Sequence, residues 1–285
     1  MAQEQLTLTK PINADEVEAA IKKARDFYTK HPSSKYGHFL ILGEKGAGKT
    51  SLALTCPKPV YIFSFDPAGT SVAGMPEAVD RGEIIADTRY ENDTLVDPHA
   101  YIDFERQFNH LGSLKAYSCM GTVIIDSLTT LSNSLLWQIM RKEGRTPPGM
   151  SSKMGEGHGM RIQDWGTYLN VFIMLTRSLS ALSCHTIMLG HIERGLDGVT
   201  GGVIRRLMVH GQSGDQIPIN VPEFYTLVAQ ETPRGLERYL LTQNEGIYTA
   251  VTRMGGGGKL SAHEPADIRA LLRKAGRPYE DKSPL

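Results

Sequence analysis

Apolar residues along the chain fall into short unbroken runs separated by longer stretches of helical spacing. Phe39–Leu42, Val60–Phe63, Ile84-Ile85 within 82–86, Thr122–Ile125 and Thr186–Leu189 are four-to-five-residue blocks rich in β-branched and aromatic side chains. Runs of that length and composition, with no polar alternation, predict strands buried on both faces, as in a parallel sheet. Between them, Ala100–Leu111, Leu128–Met140 and Ile162–Leu182 carry apolar positions three and four apart and predict helices. Near the start, Val17, Ala20, Ile21, Ala24 and Phe27 recur at helical spacing behind a candidate cap, Asn13. This helix is expected to pack on the side of the core. From Pro222 onward the pattern changes. Phe224–Ala229, Arg238–Thr242 and Ile247–Val251 predict short antiparallel strands in a meander, followed by a C-terminal helix from Ser261. The expected division is an arm and helix over 1–35, an α/β core over 36–275 including the meander, and a disordered tail over 276–285.

One stretch organises the rest. After Phe39–Leu42 the chain reads Gly43-Glu44-Lys45-Gly46-Ala47-Gly48-Lys49-Thr50-Ser51. This is G-x-x-x-x-G-K-T between a strand and a helix, the phosphate-binding loop. The glycines let several N–H groups converge on one phosphate. Lys49 supplies positive charge at the β- and γ-phosphates, and the Thr50 hydroxyl can ligate Mg²⁺. The helix expected over Ser51–Thr55 adds its positive end.

Three strands end in polar residues on the side where open α/β sheets bind ligands. After Val60–Phe63 comes Asp66, which fits either an orienter or general base of an attacking water or the first residue of an Asp-Pro turn. After Thr122–Ile125 comes Asp126-Ser127, which suits both an Mg²⁺-shell carboxylate and a helix cap. After Thr186–Leu189 comes His191, either a γ-phosphate contact or a structural histidine. The stretch 193–216 is Gly-rich and carries Arg194, Arg205 and Arg206. It is a candidate gripping loop for a nucleic-acid backbone, or a plain flexible connection. Arg253, before a glycine run, can serve as an arginine finger in cis or on a neighbouring subunit, or be a solvated side chain. Residues 143–161, with five glycines and two prolines, predict a mobile loop.

Composition narrows the rest. Across 285 residues, 31 Lys and Arg balance 31 Asp and Glu, so no global charge favours nucleic acid. Three cysteines far apart point to reduced thiols and a cytoplasmic setting. No apolar run approaches a membrane span, and the first ten residues lack a signal peptide's apolar core.

Taken in order, GEKGAGKTS, FSFDPAG, TVIID-Ser127, TIMLGH, the Gly-rich stretch and VTR resemble the RecA-like ATPase cores of phages, the group of phage nucleotide-binding AAA-type domains. QDWG at 163–166, GHIER at 190–194 and GQSGDQIP at 211–218 add to the likeness, which spans about 36–275. The resemblance implies a RecA-like P-loop fold, a mainly parallel sheet flanked by helices with a C-terminal antiparallel meander. It implies ATP and Mg²⁺ as cofactors, with hydrolysis of ATP to ADP and phosphate. It places Asp66 at the catalytic acid, usually Glu; His191 at the polar sensor, usually Gln or Asn; 194–217 at the DNA-gripping loop; and Arg253 within reach of a neighbour's γ-phosphate. The implied setting is single-strand annealing or recombination in the host-cell cytoplasm. The implied partners are single-stranded DNA, other copies of the chain, and a single-strand-binding or other replication protein. The alternative is an ATP-binding switch with little turnover and a protein partner.

Overall fold

The computed structural model describes residues 13–30, 35–67, 74–94, 97–145, 160–196, 198, 201–233, 235–255 and 258–283. The expected arm over 1–12, most of the expected loop over 143–161, and Ala68-Gly69 of the FSFDPAG stretch lie outside the described residues.

The five apolar runs form strands β1 (His38–Gly43), β2 (Val60–Ser64), β3 (Ile84–Asp87), β4 (Thr122–Asp126) and β5 (His185–Leu196). With β7 (Glu223–Thr232) they make six parallel strands in the order β3-β2-β4-β5-β1-β7. β8 (Gly235–Leu241) and β9 (His263–Pro265) continue the sheet antiparallel, and β6 (Val203–Leu207) pairs antiparallel with the outer half of β5. β5 therefore lies between the strand that carries the phosphate loop and the strand that ends in Asp126.

Burial on both faces explains the unbroken runs. Leu40, Leu42, Phe63, Val123, Ile125 and Met188 face one layer, built with α3 (Ala100–Ser113), α4 (Leu128–Lys142) and α5 (Ile162–Ser180). Phe39, Ile41, Val60, Ile62, Ile124, Ile187 and Leu189 face the other. They pack there against the 3-10 helix Thr50–Thr55, α2 (Met75–Asp80) and α7 (Ile268–Lys274). Alternate residues of one strand thus stabilise two cores, each buried Leu, Ile, Val or Phe contributing about 1.5–3 kcal/mol. Gly121 allows β4 to start close to the segment that leads into β2: a Cβ there would lie 2.4 Å from the Pro57 carbonyl oxygen.

Four expectations are corrected. The N-terminal helix α1 (Ala14–Lys30) forms, but Val17 and Ile21 on its apolar stripe are exposed rather than packed on the core. Residues 247–251 form only isolated bridges, Tyr248 to Arg205 and to Glu245, and Val251 to Phe224. The third antiparallel strand is instead β9, where the last helix was expected to begin; that helix, α7, starts at Ile268 behind the Asp267 cap. Much of 193–216 is ordered as the β5–β6 ribbon, with α6 (Ser213–Ile219) after it. The tail is docked as far as Lys282. The His185 ring bonds the Pro278 carbonyl at 2.8 Å, Lys58 N–H donates to Asp281 at 2.7 Å, and Lys282 Nζ donates to the Ser118 and Ser183 carbonyls at 2.9 Å. The His185, Asp281 and Lys282 side chains and the backbone groups of Lys58, Ser118, Ser183 and Pro278 supply these bonds, so low hydrophobicity was a poor guide to its order. No described helix is long and apolar enough to cross a membrane.

Candidate functional site

Register sets the site. Gly43 at the end of β1 lies opposite His191 on β5, and Asp126 at the end of β4 lies opposite Leu189 on β5 and Ser64 on β2. The polar ends of four strands therefore meet along one edge of the sheet.

The loop Gly43–Thr50 turns over this edge with Gly46 at φ +80° and Gly48 at φ +95°, left-handed values that side chains with a Cβ rarely adopt. Lys49 is buried and folds back under the loop. Its Nζ donates to the Gly43 carbonyl at 2.8 Å and the Glu44 carbonyl at 3.0 Å, and faces His191 Nδ1 at 3.3 Å. Burial lowers its pKa, opposed by the carboxylates of Asp126, Asp66 and Glu44. With three partners the ammonium is fully engaged, so an arriving phosphate must replace at least one of them.

Thr50 Oγ1 donates to Asp126 Oδ2 at 2.5 Å. Asp126 is almost fully buried, and burial pushes its carboxyl up to about 6 despite the Thr50 hydroxyl. A hydroxyl and a carboxylate, both hard oxygen donors, are what Mg²⁺ takes from a protein when phosphate and water oxygens complete its shell. The donor set fits that ion. No cluster of three His, Cys, Asp or Glu able to hold a metal by itself occurs among the described residues. Ser127 caps α4, its hydroxyl accepting from Thr130 N–H at 3.3 Å. The cap role thus falls to Ser127 and leaves the Asp126 carboxylate outside it.

Asp66 is gripped by three side chains. His191 Nε2 donates at 2.9 Å to Oδ2, Ser127 Oγ at 2.8 Å to Oδ1, and Thr130 Oγ1 also to Oδ1. Burial would raise its pKa, but the bonds from His191, Thr130 and Ser127 outweigh burial and hold it below the usual carboxylate range. His191 thereby bridges Lys49 and Asp66, with its Nδ1 lone pair toward the ammonium and Nε2–H toward the carboxylate. Its backbone N–H is fixed by Thr129 Oγ1 at 3.0 Å. Lys49, Thr50, Asp66, Asp126 and His191 form one connected group.

The arginines separate. Arg253 lies at the other end of the sheet. Its backbone N–H bonds Glu223, the first residue of β7, which is in register with Phe39 near the start of β1. Its side chain lines a cleft with Tyr36, Gly37 and Arg277. A finger role in cis is excluded by this placement, and only a neighbouring subunit's site remains open to it. Buried Glu223 holds the 252–254 turn there by accepting from Thr252 Oγ1 at 2.7 Å and Met254 N–H at 2.8 Å. In the β5–β6 ribbon, Arg194 is exposed, whereas Arg206 is paired with Glu193 at 2.9 Å and Asp215 at 3.4 Å. Arg205 turns to the phosphate loop, its Nη2 lying 3.2 Å from Glu44 Oε1.

Sequence reasoning missed four contributors. Ser127 and Thr130 were not foreseen as Asp66 ligands, although S-x-x-T at the start of a helix after a strand-end Asp puts both hydroxyls on its first turn. Arg205 was assigned to a nucleic acid. Arg238 on β8 was read only as a strand residue. Its Nε donates to the Ala47 carbonyl at 3.0 Å, because β8 runs antiparallel to β7 and delivers Arg238 opposite Ala229, beyond the end of β1.

No curated protein matches the chain. Among solved structures, a KaiC-like protein, PH0186, from the hyperthermophilic archaeon Pyrococcus horikoshii OT3 is similar at 13% identity with a TM-score of 0.37. The match covers 72% of this chain and 77% of that one. Residues 35–254, well over half of the chain, match the family described as AAA domain, and the chain belongs to that family.

Proposed function

We propose that the chain is a Mg²⁺-dependent ATPase, hydrolysing ATP to ADP and phosphate. The observation that carries this reading is the connected group at the strand ends: Lys49–His191–Asp66 beside Thr50–Asp126. The loop N–H groups and Lys49 bind the triphosphate and answer charge on the transferring phosphoryl. Thr50 and Asp126 would hold Mg²⁺, whose charge would offset that of the phosphates. Asp66 aligns water against the γ-phosphorus. A carboxylate held below its ordinary range by three donors is a weak proton acceptor, so it orients the water rather than deprotonating it beforehand. The water oxygen bonds to the γ-phosphorus as the O–P bond to ADP breaks, and the water's proton leaves with the phosphate. His191 links the γ-phosphate contact of Lys49 to the position of Asp66.

The finer reading is that this ATPase acts on single-stranded DNA in phage recombination or annealing, in the host cytoplasm, as a homo-oligomer with Arg253 completing a neighbour's site. The exposed Arg194 on the ribbon and the resemblance of the motif order support it. The internal pairing of Arg205 and Arg206 leaves fewer free cations for a DNA backbone than the sequence suggested. The switch reading, with ATP bound and scarcely turned over, draws support from the three donors already on Asp66, which leave it little room for water. Phosphate release from ATP, with and without single-stranded DNA and with Lys49→Ala as control, separates these. A Lys49-dependent rate raised several-fold by DNA supports the finer reading. A flat rate leaves an ATPase with another partner. Tight ATP binding with no release selects the switch.

A further inference from the structure

The ribbon strand β6 has a rigid setting at Arg205. Arg205 N–H donates to the Ile247 carbonyl at 2.7 Å, its carbonyl accepts from Thr249 Oγ1 at 3.3 Å, and across the ribbon it pairs with Arg194. Alternation along the strand sends Arg206 to the opposite side, toward Glu193 and Asp215. The Arg205 side chain is therefore aimed by backbone bonds on both sides. It ends at Glu44, whose own carbonyl binds Lys49 Nζ. The Glu44 carboxylate meets Arg205, and its charge also acts on Lys49. The guanidinium is only partly used: Arg205 Nε is shielded from solvent and has no hydrogen-bond partner. A shielded, unbonded N–H on a cation is costly and marks a site for an acceptor.

We infer that Arg205 is a phosphate-binding residue in cis, held by Glu44 until a nucleoside triphosphate displaces that carboxylate, so that the β5–β6 ribbon reports on the terminal phosphate. This rests on the nucleotide reading of the same site. Terminal phosphate oxygens beside Lys49 bring more charge than one carboxylate and offer acceptors in the planar fork that a guanidinium matches. Glu44, half-exposed, can turn to water when displaced. The ribbon then moves with Arg205, linking triphosphate occupancy to the surface that carries Arg194.

Calorimetric titration with ATP and with ADP, each with Mg²⁺, tests this on the full chain and on Arg205→Ala, Arg205→Lys and Glu44→Gln. The expected pattern is a tenfold or greater loss of ATP affinity in Arg205→Ala with ADP affinity changed less than threefold. Partial recovery is expected in Arg205→Lys, and ATP binding several-fold tighter than the unmodified chain in Glu44→Gln. Equal losses for ATP and ADP, or no loss, overturn the inference, as does Glu44→Gln weakening ATP like the arginine variants, which would make the pair structural. If Arg205→Ala does not fold, Arg205→Lys and Glu44→Gln carry the same comparison. Failure of the unmodified chain to bind either nucleotide overturns the nucleotide reading itself and this inference with it.

Discussion

Replacing Asp126 by Asn is expected to strengthen the ligand-free fold and destroy the Mg²⁺-dependent site. The carboxylate is buried, and its pKa rises from 3.8 to about 6. At about 1.4 kcal/mol per unit, keeping it ionised at pH 7 costs the folded state about 3 kcal/mol. The attraction of Lys49 is already included in that net rise. Asn keeps an oxygen for the Thr50 hydroxyl and removes the buried charge, so a gain of about 1–3 kcal/mol is expected, on the order of 5 °C in Tm. The sign follows from linkage. Between pH 4 and 6 the folded state binds more protons than the unfolded chain, so the cost is absent below about pH 4 and complete above about pH 6. The advantage of Asn should shrink accordingly as pH falls. With Mg²⁺ and ATP at a hundred times Kd, the unmodified protein gains about 2.7 kcal/mol by mass action. Asp126→Asn forfeits most of this, so the order of the two melting temperatures should narrow or reverse. Thermal melts with EDTA, with ATP alone and with Mg²⁺-ATP read all three. An Asn variant less stable than the unmodified protein in EDTA, or one with an undiminished Mg²⁺-ATP shift, would refute the reasoning.

Other outcomes follow from single contacts. Gly48→Ala places a Cβ 2.8 Å from Arg238 Nε at φ +95°, so a stability loss of about 1–2 kcal/mol from backbone strain and a clear loss of nucleotide affinity are expected in melts and titrations. His191→Ala removes one of three donors to Asp66 and the bridge to Lys49; turnover should drop at least tenfold while ATP binding changes less than threefold, read by steady-state kinetics against calorimetry. His185 is buried, with its pKa lowered to about 4 by burial. Its contribution, about 3 kcal/mol at most, is present above about pH 6.5 and lost as pH falls toward 4. His185→Gln should flatten that part of the pH dependence in urea melts.

The sheet was legible because its strands are buried on both faces: runs such as Val60–Phe63 and Thr122–Ile125 have no polar alternation to blur them. The phosphate loop and the Asp126-Ser127 pair were legible because their chemistry fixes spacing within one segment. What the sequence hid depends on pairing between distant strands. Arg238 reaches Ala47 only because β8 folds back along β7, and no spacing within 235–241 encodes that. Arg205 and Arg206 look alike in sequence, yet neighbouring strand positions face opposite sides, and only the register with β5 decides which one meets Glu44. The choice for Arg253 between its own site and a neighbour's could not be read from sequence for the same reason: Glu223 ties it to the amino end of the sheet. The tail was misjudged because its order comes from hydrogen bonds to His185, Lys58 and Ser183 and from Tyr279 packing on the core, neither of which its polar composition announces.

The central claim, that the strand-end group hydrolyses ATP, is tested most directly by phosphate release from ATP by the purified chain in Mg²⁺ beside Lys49→Ala in the same buffer. The expected result is steady release that needs Mg²⁺ and is lost in the variant. Release that persists in Lys49→Ala, or no release from a folded chain under any of these conditions, would contradict it.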